Sequence, residues 1–245
     1  SGDWVYAEGT TLGGDDGIAV AYALALLDDN CIPHPRLEAV FTTCEEVGME
    51  GASALDVSML KGHRVLNLDS EEEGILLAGC AGGSRMEIRL PVKRQYTEGK
   101  RAVLTLTGLQ GGHSGTEIDK GRGNANVLLA RVLSALQGEV HYRIVSLEGG
   151  EKDNAIPTWS RAELLVPFEK TYKLEEICAV CGEELKKEYA LTDPELQVQF
   201  QYGNETGGDA FDEKSTETSL ALLLALPNGV QACLLYTSPS PRDRS

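Results

Sequence analysis

The sequence predicts an α/β protein built from two parts. In residues 1–82, apolar runs of strand length alternate with helical segments, a pattern typical of a largely parallel sheet. In residues 83–232, strands of alternating polarity come in pairs followed by helices, which is typical of an α+β unit. Hydrophobic residues make up 42% of the 245 positions, so the chain can bury a core. We place the boundary near Gly82-Gly83.

In the first part, the sequence predicts one buried helix between short strands. Residues 18–28 are apolar on almost every side, which is typical of a helix packed against a sheet, and Asp16 is its expected N-cap. Residues 37–42 and 64–68 are predicted strands, and a short helix is expected around 52–56. Because ligands of parallel sheets bind beyond the carboxyl ends of the strands, polar residues that follow these strands are expected at one edge.

The second part predicts a small antiparallel sheet with two helices on one face. The predicted strands are 84–92, 102–107, 140–147, 161–166 and 196–202. The predicted helices are 124–136, 172–189 and 218–226. The polar, glycine-rich stretch 203–213 is expected to be a loop.

The composition narrows the classes of function. Lys and Arg number 22 against 38 Asp and Glu, a net charge of −16, which argues against binding to nucleic acid or to an anionic membrane surface. No apolar run is long enough to span a bilayer. The six cysteines are scattered, which favours a reducing, cytoplasmic location.

Cys178 and Cys181 form a lone CxxC pair in a helical pattern and are expected to share a helix face rather than to bind zinc.

The two ends of the sequence do not read as natural termini. Residues 233–245 resemble the translation of an adapter used in sequencing libraries, and we exclude them from reasoning about the fold. The alternative is a natural tail rich in Pro and Ser. Since residue 1 is Ser and the pattern opens midway, we expect the natural protein to continue beyond both ends.

Acidic residues lie at three positions where an apolar segment ends or a helix begins. Asp15 precedes the first helix, Glu45 and Glu46 follow the strand 37–42, and Asp69 follows the next strand. Neighbouring residues of an extended chain point to opposite sides, so one glutamate can bind a ligand while the other acts as a base. A single Glu-Glu pair is commonly a solvated turn. The acidic residues at these three positions together indicate the carboxylate half of a two-metal hydrolase site.

The chemistry of such a site suggests a role for each carboxylate. Two metal ions about 3.5–4 Å apart hold a water or hydroxide between them. Asp15 is the candidate bridge, and Glu46 and Asp69 are the candidate terminal ligands. Glu45 is the candidate general base that takes the proton of the water. Carboxylates combined with imidazole suit Zn²⁺, with Mn²⁺ and Co²⁺ as alternatives.

Imidazole is scarce, because the chain has only four histidines. His34 lies between prolines and His63 precedes a strand, and both are expected to be solvated surface residues. His113 lies in the glycine-rich stretch 111–115, which exposes its ring and suits it to polarise a carbonyl or hold an oxyanion. A histidine in an ordinary glycine turn is the alternative. Asn154, in a second polar loop, either donates a hydrogen bond to a substrate or only forms a turn.

Eight stretches resemble the aminoacyl-histidine dipeptidase (Xaa-His dipeptidase) branch of the di-zinc metallopeptidases. That superfamily also holds carboxypeptidases and aminoacylases. Its motifs here are Gly-Asp-Asp-Gly, Glu-Glu and Gly-Gly-His-Ser-Gly, whereas Asp-Ser-Glu-Glu-Glu-Gly and Gly-Cys-Ala-Gly-Gly point to the branch. The stretches are residues 9–18, 43–49, 67–74, 79–83, 111–115, 123–126, 154–157 and 227–230.

The resemblance implies a fold and a function. Residues 1–82 would be part of a mostly parallel-sheet zinc-peptidase domain, and residues 83–232 an incomplete α+β lid and dimerisation domain. The implied protein is a cytoplasmic homodimer that hydrolyses small dipeptides with two zinc ions, Asp15, Glu45, Glu46 and Asp69 having the roles given above. His113 would reach the substrate, or an active site across the dimer.

The chain also departs from the family. The first ligand motif of the family, His-x-Asp, and its last histidine ligand are absent from the 245 residues. We therefore expect this chain alone to be inactive and poorly folded.

Two other functions are consistent with the sequence. One is a different di-zinc exopeptidase or deacylase of the same superfamily. The other is a non-catalytic interaction or dimerisation module whose acidic turns bind Ca²⁺ loosely. Calcium loops space their oxygen ligands at every second residue, and residues 66–74 do not have that pattern, which disfavours the second alternative.

Overall fold

The computed structural model describes residues 6–9, 14, 16–45, 48–69, 74–76 and 84–231. The chain divides into two units, residues 1–76 and 77–245, here called unit 1 and unit 2. The boundary predicted at Gly82-Gly83 and the tail 233–245 lie outside the described residues.

The described residues of unit 1 form two α-helices. Helix α1, Gly17–Asp28, begins at the predicted cap, because Asp16 Oδ1 accepts a hydrogen bond from the backbone N–H of Ala19 at 3.2 Å. Helix α2 spans Glu50–Ala54, and a 3₁₀ turn follows at Val57–Met59. The sequence therefore predicted α1 within one residue, whereas the short helix expected at 52–56 starts two residues earlier.

The strands predicted at 37–42 and 64–68 are not formed in the described part of unit 1. Val65 and Leu66 are each 89% exposed, and Ile18 and Leu24 of α1 are more than half exposed. An apolar run indicates burial, but a strand exists only through hydrogen bonds to neighbouring strands. The described residues of this unit provide no such neighbours, so the apolar pattern is present without the ladder.

Unit 2 is built on two antiparallel sheets. Its strands are β1 (Arg94–Thr97), β2 (Lys100–Thr107), β3 (Arg143–Gly149), β4 (Ser160–Val166), β5 (Gln197–Tyr202) and β6 (Gly208–Phe211). Its helices are α3 (Ala125–Gln137), α4 (Thr171–Glu188) and α5 (Glu213–Ala225). The main sheet has the order β3-β4-β2-β5, and β1 pairs with β6 in a two-stranded sheet.

The core of unit 2 lies between the main sheet and the helices. Along β2, the alternate residues Ala102, Leu104 and Leu106 are at most 1% exposed. They belong to one cluster with Leu128 of α3 and Leu174 of α4. Because only alternate residues of β2 are buried in this way, both helices cover the same face of the sheet, as the sequence predicts.

Three segments of unit 2 differ from the prediction. Residues 84–92 form no strand, and Met86 is 83% exposed, so the alternation there does not reflect burial. The stretch 203–213, predicted as a loop, contains β6, because its backbone finds a partner in the distant β1. Helix α5 begins at Glu213 rather than 218, since Asp212 caps it by accepting from Ser215 N–H at 2.7 Å.

Within the part of the chain that the structure describes, no helix is both long and apolar enough to cross a lipid bilayer.

Candidate active site

Four acidic residues of unit 1 line one cleft of about 500 Å³. They are Asp16, Glu38, Glu45 and Asp69. One wall of the cleft is α1, and the others are formed by residues 37–42 and 66–69. The structure thus brings together two of the predicted site residues, the candidate base Glu45 and the candidate ligand Asp69. The side chains of both are exposed.

One of these four, Glu38, connects two segments of the chain at the cleft. Glu38 Oε2 accepts the backbone N–H groups of Lys61 and Gly62, each at 2.8 Å. The pKa of Glu38 is lowered, mainly because of these two hydrogen bonds. Glu45 and Asp69 stand seven residues further along their respective segments. The contact at Glu38 therefore fixes which parts of the chain meet at the cleft.

The turn that carries Glu45 has a constrained backbone. Cys44 has a φ of 61°, in the left-handed region that costs a non-glycine residue about 1–3 kcal/mol. The turn is closed by hydrogen bonds from Glu50 N–H to Cys44 O at 3.3 Å and from Gly51 N–H to Thr43 O at 3.1 Å. A Cβ on Gly51 would lie 2.4 Å from Thr43 O, so only glycine permits this closure. The backbone direction at Glu45 is therefore set by local structure.

The predicted ligands Asp15 and Glu46 lie outside the described residues. Each has a sequence neighbour in the cleft, Asp16 and Glu45. Asp16 uses one carboxylate oxygen to cap α1, and its Oδ2 is buried without a hydrogen-bond partner among the described residues. A buried carboxylate oxygen normally has a partner, so this atom has capacity for a cation or a donor.

The described residues of the cleft suit a metal ion in their chemistry but not in their number. The cleft offers carboxylate oxygens, which are suitable ligands for divalent cations. Among the described residues, however, no group of three His, Cys, Asp or Glu side chains lies close enough together to hold one. The donor chemistry fits, and the set is not completed by the described residues. His34 and His63 are exposed, as the sequence predicts.

In unit 2, the structure brings His113 and Asn154 together. His113 pairs with Ala155 in an isolated antiparallel bridge. On either side of this bridge, Ile156 N–H donates to Gly112 O at 2.8 Å and Ser114 N–H donates to Asn154 O at 2.9 Å. The side chains of His113 and Asn154 are both exposed. The two glycine-rich loops predicted separately from the sequence therefore form one structure that presents an imidazole and an amide to solvent.

The loop determines which ring nitrogen of His113 can donate. The backbone N–H groups of Gly115 and Thr116 point at Nδ1, at 3.0 and 3.1 Å. A nitrogen that accepts hydrogen bonds carries no proton, so the neutral ring is protonated at Nε2. Nε2–H is consequently the donor that His113 offers, which suits a developing negative charge on a substrate oxygen.

Glu117 anchors the same loop. Its Oε2 accepts the backbone N–H of His113 at 2.9 Å, and its Oε1 accepts from Lys120 Nζ at 2.5 Å and from Arg122 Nη1 at 3.3 Å. The hydrogen bonds from Lys120 and from the backbone of His113 lower the pKa of Glu117 to about 2. Arg122 also donates to Gly111 O. A carboxylate that stays charged at neutral pH therefore ties the backbone of His113 to two cationic side chains.

Gly112 makes this anchoring possible. Its φ is 136°, and a Cβ there would lie 2.6 Å from both Glu117 Oε2 and Arg122 Nη1. A larger residue would therefore displace the ion pair from the backbone that it holds.

Sequence reasoning did not identify Glu38, Glu117 or Arg122. Glu117 follows His113 by four residues, but this spacing has meaning only on a helix, and the region is not helical. Glu38 lies in a segment predicted to be a strand, where it was one polar residue among apolar ones. Glu38 and Glu117 accept backbone N–H groups, and Arg122 donates to a backbone carbonyl and to Glu117. Such contacts leave no pattern in the sequence.

Cys178 and Cys181 behave as predicted for a helix face. Both lie on α4, where Cys178 is 3% exposed and Cys181 is half-buried. Burial raises the pKa of the Cys178 thiol to about 12, which disfavours the thiolate needed for metal binding or redox chemistry.

Known proteins resemble this chain over both units. Residues 104–193 match the peptidase dimerisation domain family. The cytosol non-specific dipeptidase of Escherichia coli (strain K12) is 41% identical over 232 residues, which cover 94% of this chain and 47% of that protein. An uncharacterized protein of Bacillus subtilis (strain 168) is 26% identical over 209 residues, covering 80% of this chain and 52% of that protein.

One solved structure is similar along nearly the whole chain. It is the crystal structure of aminoacylhistidine dipeptidase from Vibrio alginolyticus, with a TM-score of 0.71 and 37% identity. The similarity covers 96% of this chain and 48% of that one. This chain spans about half the length of the curated relatives it matches.

These similarities confirm the α/β fold class and the resemblance that the motifs predict. They extend well beyond the matched domain on its N-terminal side, to the unit that carries the cleft carboxylates. The chain carries a peptidase dimerisation domain within residues 104–193 and is related, along 94% of its length, to about half of a bacterial dipeptidase.

Proposed function

We propose that the complete protein is a metal-dependent dipeptidase that acts on dipeptides of the aminoacyl-histidine type. The observation that carries the proposal is the 41% identity to a dipeptidase across both units. It is supported by the cleft that holds Glu45 and Asp69, two of the side chains assigned to the reaction. We further propose that residues 83–232 form the lid and dimerisation domain of this enzyme.

Asp15, Glu46 and Asp69 would hold two divalent metal ions, with zinc expected first and manganese or cobalt as alternatives. When bound, the ions supply a Lewis acid and lower the pKa of a water molecule. Glu45 would take a proton from the attacking water as general base. The constrained turn from Thr43 to Gly51 supports this role, because it fixes the backbone that carries Glu45 beside the cleft.

His113 and Asn154 act on the substrate. The Nε2–H of His113 donates to the carbonyl oxygen of the peptide bond as negative charge develops on it. The hydrogen bonds to Nδ1 support this role, because they leave Nε2 as the donor. Asn154, whose side chain is exposed, would donate from its amide to the same small peptide. The match to a peptidase dimerisation domain supports a homodimer, and the name of the Escherichia coli relative supports a cytoplasmic location.

The substrate is tested with a panel of peptides. The named relatives are a non-specific dipeptidase and an aminoacylhistidine dipeptidase, so specificity for histidine is the finer part of the proposal. The complete protein, loaded with zinc, is assayed on an aminoacyl-histidine dipeptide, on the same dipeptide ending in alanine, and on an N-acyl amino acid. Preference for the N-acyl amino acid would favour a deacylase of the same superfamily. Zinc-dependent hydrolysis by the 245-residue chain itself would contradict its expected inactivity.

The role of Glu45 is tested in the same assay. Glu45→Gln removes the base and is expected to lower kcat by about 10²–10⁴-fold. Glu50→Gln is the matched control, because Glu50 is an exposed glutamate in the first turn of α2, five residues away. Equal activity of the two variants would remove Glu45 from the mechanism.

A further inference from the structure

We propose that Asp193 is a positioning residue that holds the loop of His113 in its working conformation. The proposal rests on the function proposed above for His113. Asp193 was not among the residues that the sequence marked as functional. It lies between α4 and β5, far along the chain from His113.

The carboxylate of Asp193 closes the neck of the loop, which is the place where its two ends, Gln110 and Gly123, come together. Its Oδ1 accepts the backbone N–H of Gln110 at 2.8 Å, and its Oδ2 accepts the backbone N–H of Gly123, also at 2.8 Å. Residues 111–122, which lie between these two donors, include His113 and its anchor Glu117. One side chain therefore joins the two ends of the segment, as in a compact loop whose ends lie close together.

Asp193 is itself held rigidly. It is 1% exposed, its N–H donates to Tyr189 O at 2.8 Å, and its carbonyl oxygen accepts from Leu196 N–H at 3.0 Å. These bonds tie it to the end of α4 and to the residues before β5. The neck of the loop is thus fastened to the core of unit 2.

A carboxylate suits this position better than any other small side chain. Both of its oxygens accept hydrogen bonds, and each meets a backbone N–H. An asparagine offers one accepting oxygen and would turn its amide hydrogens towards the second N–H. Burying a charge is costly unless it is well hydrogen-bonded, so an aspartate that is 1% exposed points to a specific need for two acceptors.

Asp193 acts on His113 through the loop. Closing the neck limits the conformations of residues 111–122, and the N–H groups of Gly115 and Thr116 then meet Nδ1 of the ring. Catalysis depends on such placement, because a displaced donor loses much of its effect on the transition state.

The first test does not need catalytic activity. In Asp193→Asn, amide hydrogen exchange at Gly115 and Thr116 should become faster by roughly tenfold or more, the factor that corresponds to one lost charge-assisted hydrogen bond. The amides of Leu104 and Leu164 in the main sheet should keep their exchange rates. Unchanged rates at Gly115 and Thr116, or an equal increase at all four amides, would overturn the proposal.

Asp212→Asn is the matched control. Asp212 also accepts a backbone N–H with its carboxylate, that of Ser215 at 2.7 Å, but it caps α5 and lies outside the loop. The control should leave exchange at Gly115 and Thr116 as it is in the unchanged chain.

The second test is kinetic and uses a double-mutant cycle in the complete enzyme. Asp193→Asn should lower kcat by about tenfold or more with little change in KM, and should have almost no further effect in a His113→Ala background. An equal loss in both backgrounds would show that Asp193 acts elsewhere. If His113→Ala leaves kcat unchanged, the proposed function fails for His113 while the exchange result still decides the role of Asp193.

A backbone change keeps the proposal testable if Asp193→Asn does not fold. Replacing the amide of residue 110 by an ester removes one donated N–H and keeps every side chain. The same acceleration of exchange at Gly115 and Thr116 is then expected, and its absence would count against the proposal.

Discussion

Truncation of Leu104 to alanine should destabilise unit 2 by about 3 kcal/mol. Leu104 is 1% exposed and lies on the central strand β2, opposite Ala162 of β4 and Phe200 of β5. The change removes three buried carbon atoms, worth about 0.8 kcal/mol each on transfer, and the cavity that remains adds to this loss. For a unit of this size, the loss corresponds to a fall in Tm of about 6–12 °C.

Urea denaturation measures this loss. Trp159 immediately precedes β4 and reports on the main sheet by fluorescence, once Trp4 has been replaced by phenylalanine to remove its signal. Val103→Ala is the matched control, because Val103 is the neighbouring residue of β2 on the opposite, half-buried face. The control should cost about 1 kcal/mol or less. If Leu104→Ala costs no more than Val103→Ala, the core does not lie where the alternation of burial places it.

Two further predictions concern the connection between β2 and α3. Glu117 has its pKa lowered from 4.5 to about 2, so it stabilises the fold fully above about pH 4.5 and loses this effect as the pH falls towards 2. The difference in Tm between the unchanged chain and Glu117→Gln should therefore shrink from pH 6 to pH 2.5, and a constant difference would contradict the ion pairs of Glu117. Gly108 has a φ of 80°, and a Cβ there would lie 1.9 Å from Glu195 O, so Gly108→Ala should displace the backbone and cost several kcal/mol in urea denaturation. Gly138→Ala is its control, because the nearest atom to that Cβ is at 3.8 Å, and equal losses would refute the steric argument.

Periodic patterns in the sequence predicted the helices of the main core well. Helices α3 and α4 each lie within one residue of the predicted ranges, because their apolar faces repeat at the spacing of a helix buried on one side. Strand β4 was also predicted within one residue. These two helices and this strand pack into the core with the apolar faces that the sequence pattern predicts. Their local propensity and their tertiary packing therefore favour the same structure.

The failures occur where partners are distant or outside the described residues. The pair β1 and β6 joins short segments far apart in the chain, and neither has an apolar pattern of its own. Residues 37–42 and 64–68 have the pattern of strands but form no ladder among the described residues. A propensity to form a strand becomes a strand only when a neighbour is present.

The candidate site shows the same division. His113 and Asn154 were identified from the chemistry of their side chains and from the glycines around His113, and the structure brings them together. Asp193 carries no comparable signal, because it lies beside a proline in a turn and acts on two backbone N–H groups remote in sequence. Anchors of this kind are set by the fold, which brings together residues that lie far apart in the sequence.

The candidate base and the candidate oxyanion donor stand on different units, Glu45 on unit 1 and His113 on unit 2. In a homodimer whose loops reach across to the partner, this separation allows two inactive variants to complement each other. A mixed dimer of Glu45→Gln and His113→Ala then regains one working site out of two, built from the intact glutamate of one subunit and the intact histidine of the other. In a dimer whose subunits each use their own pair, both sites of the same mixture stay inactive.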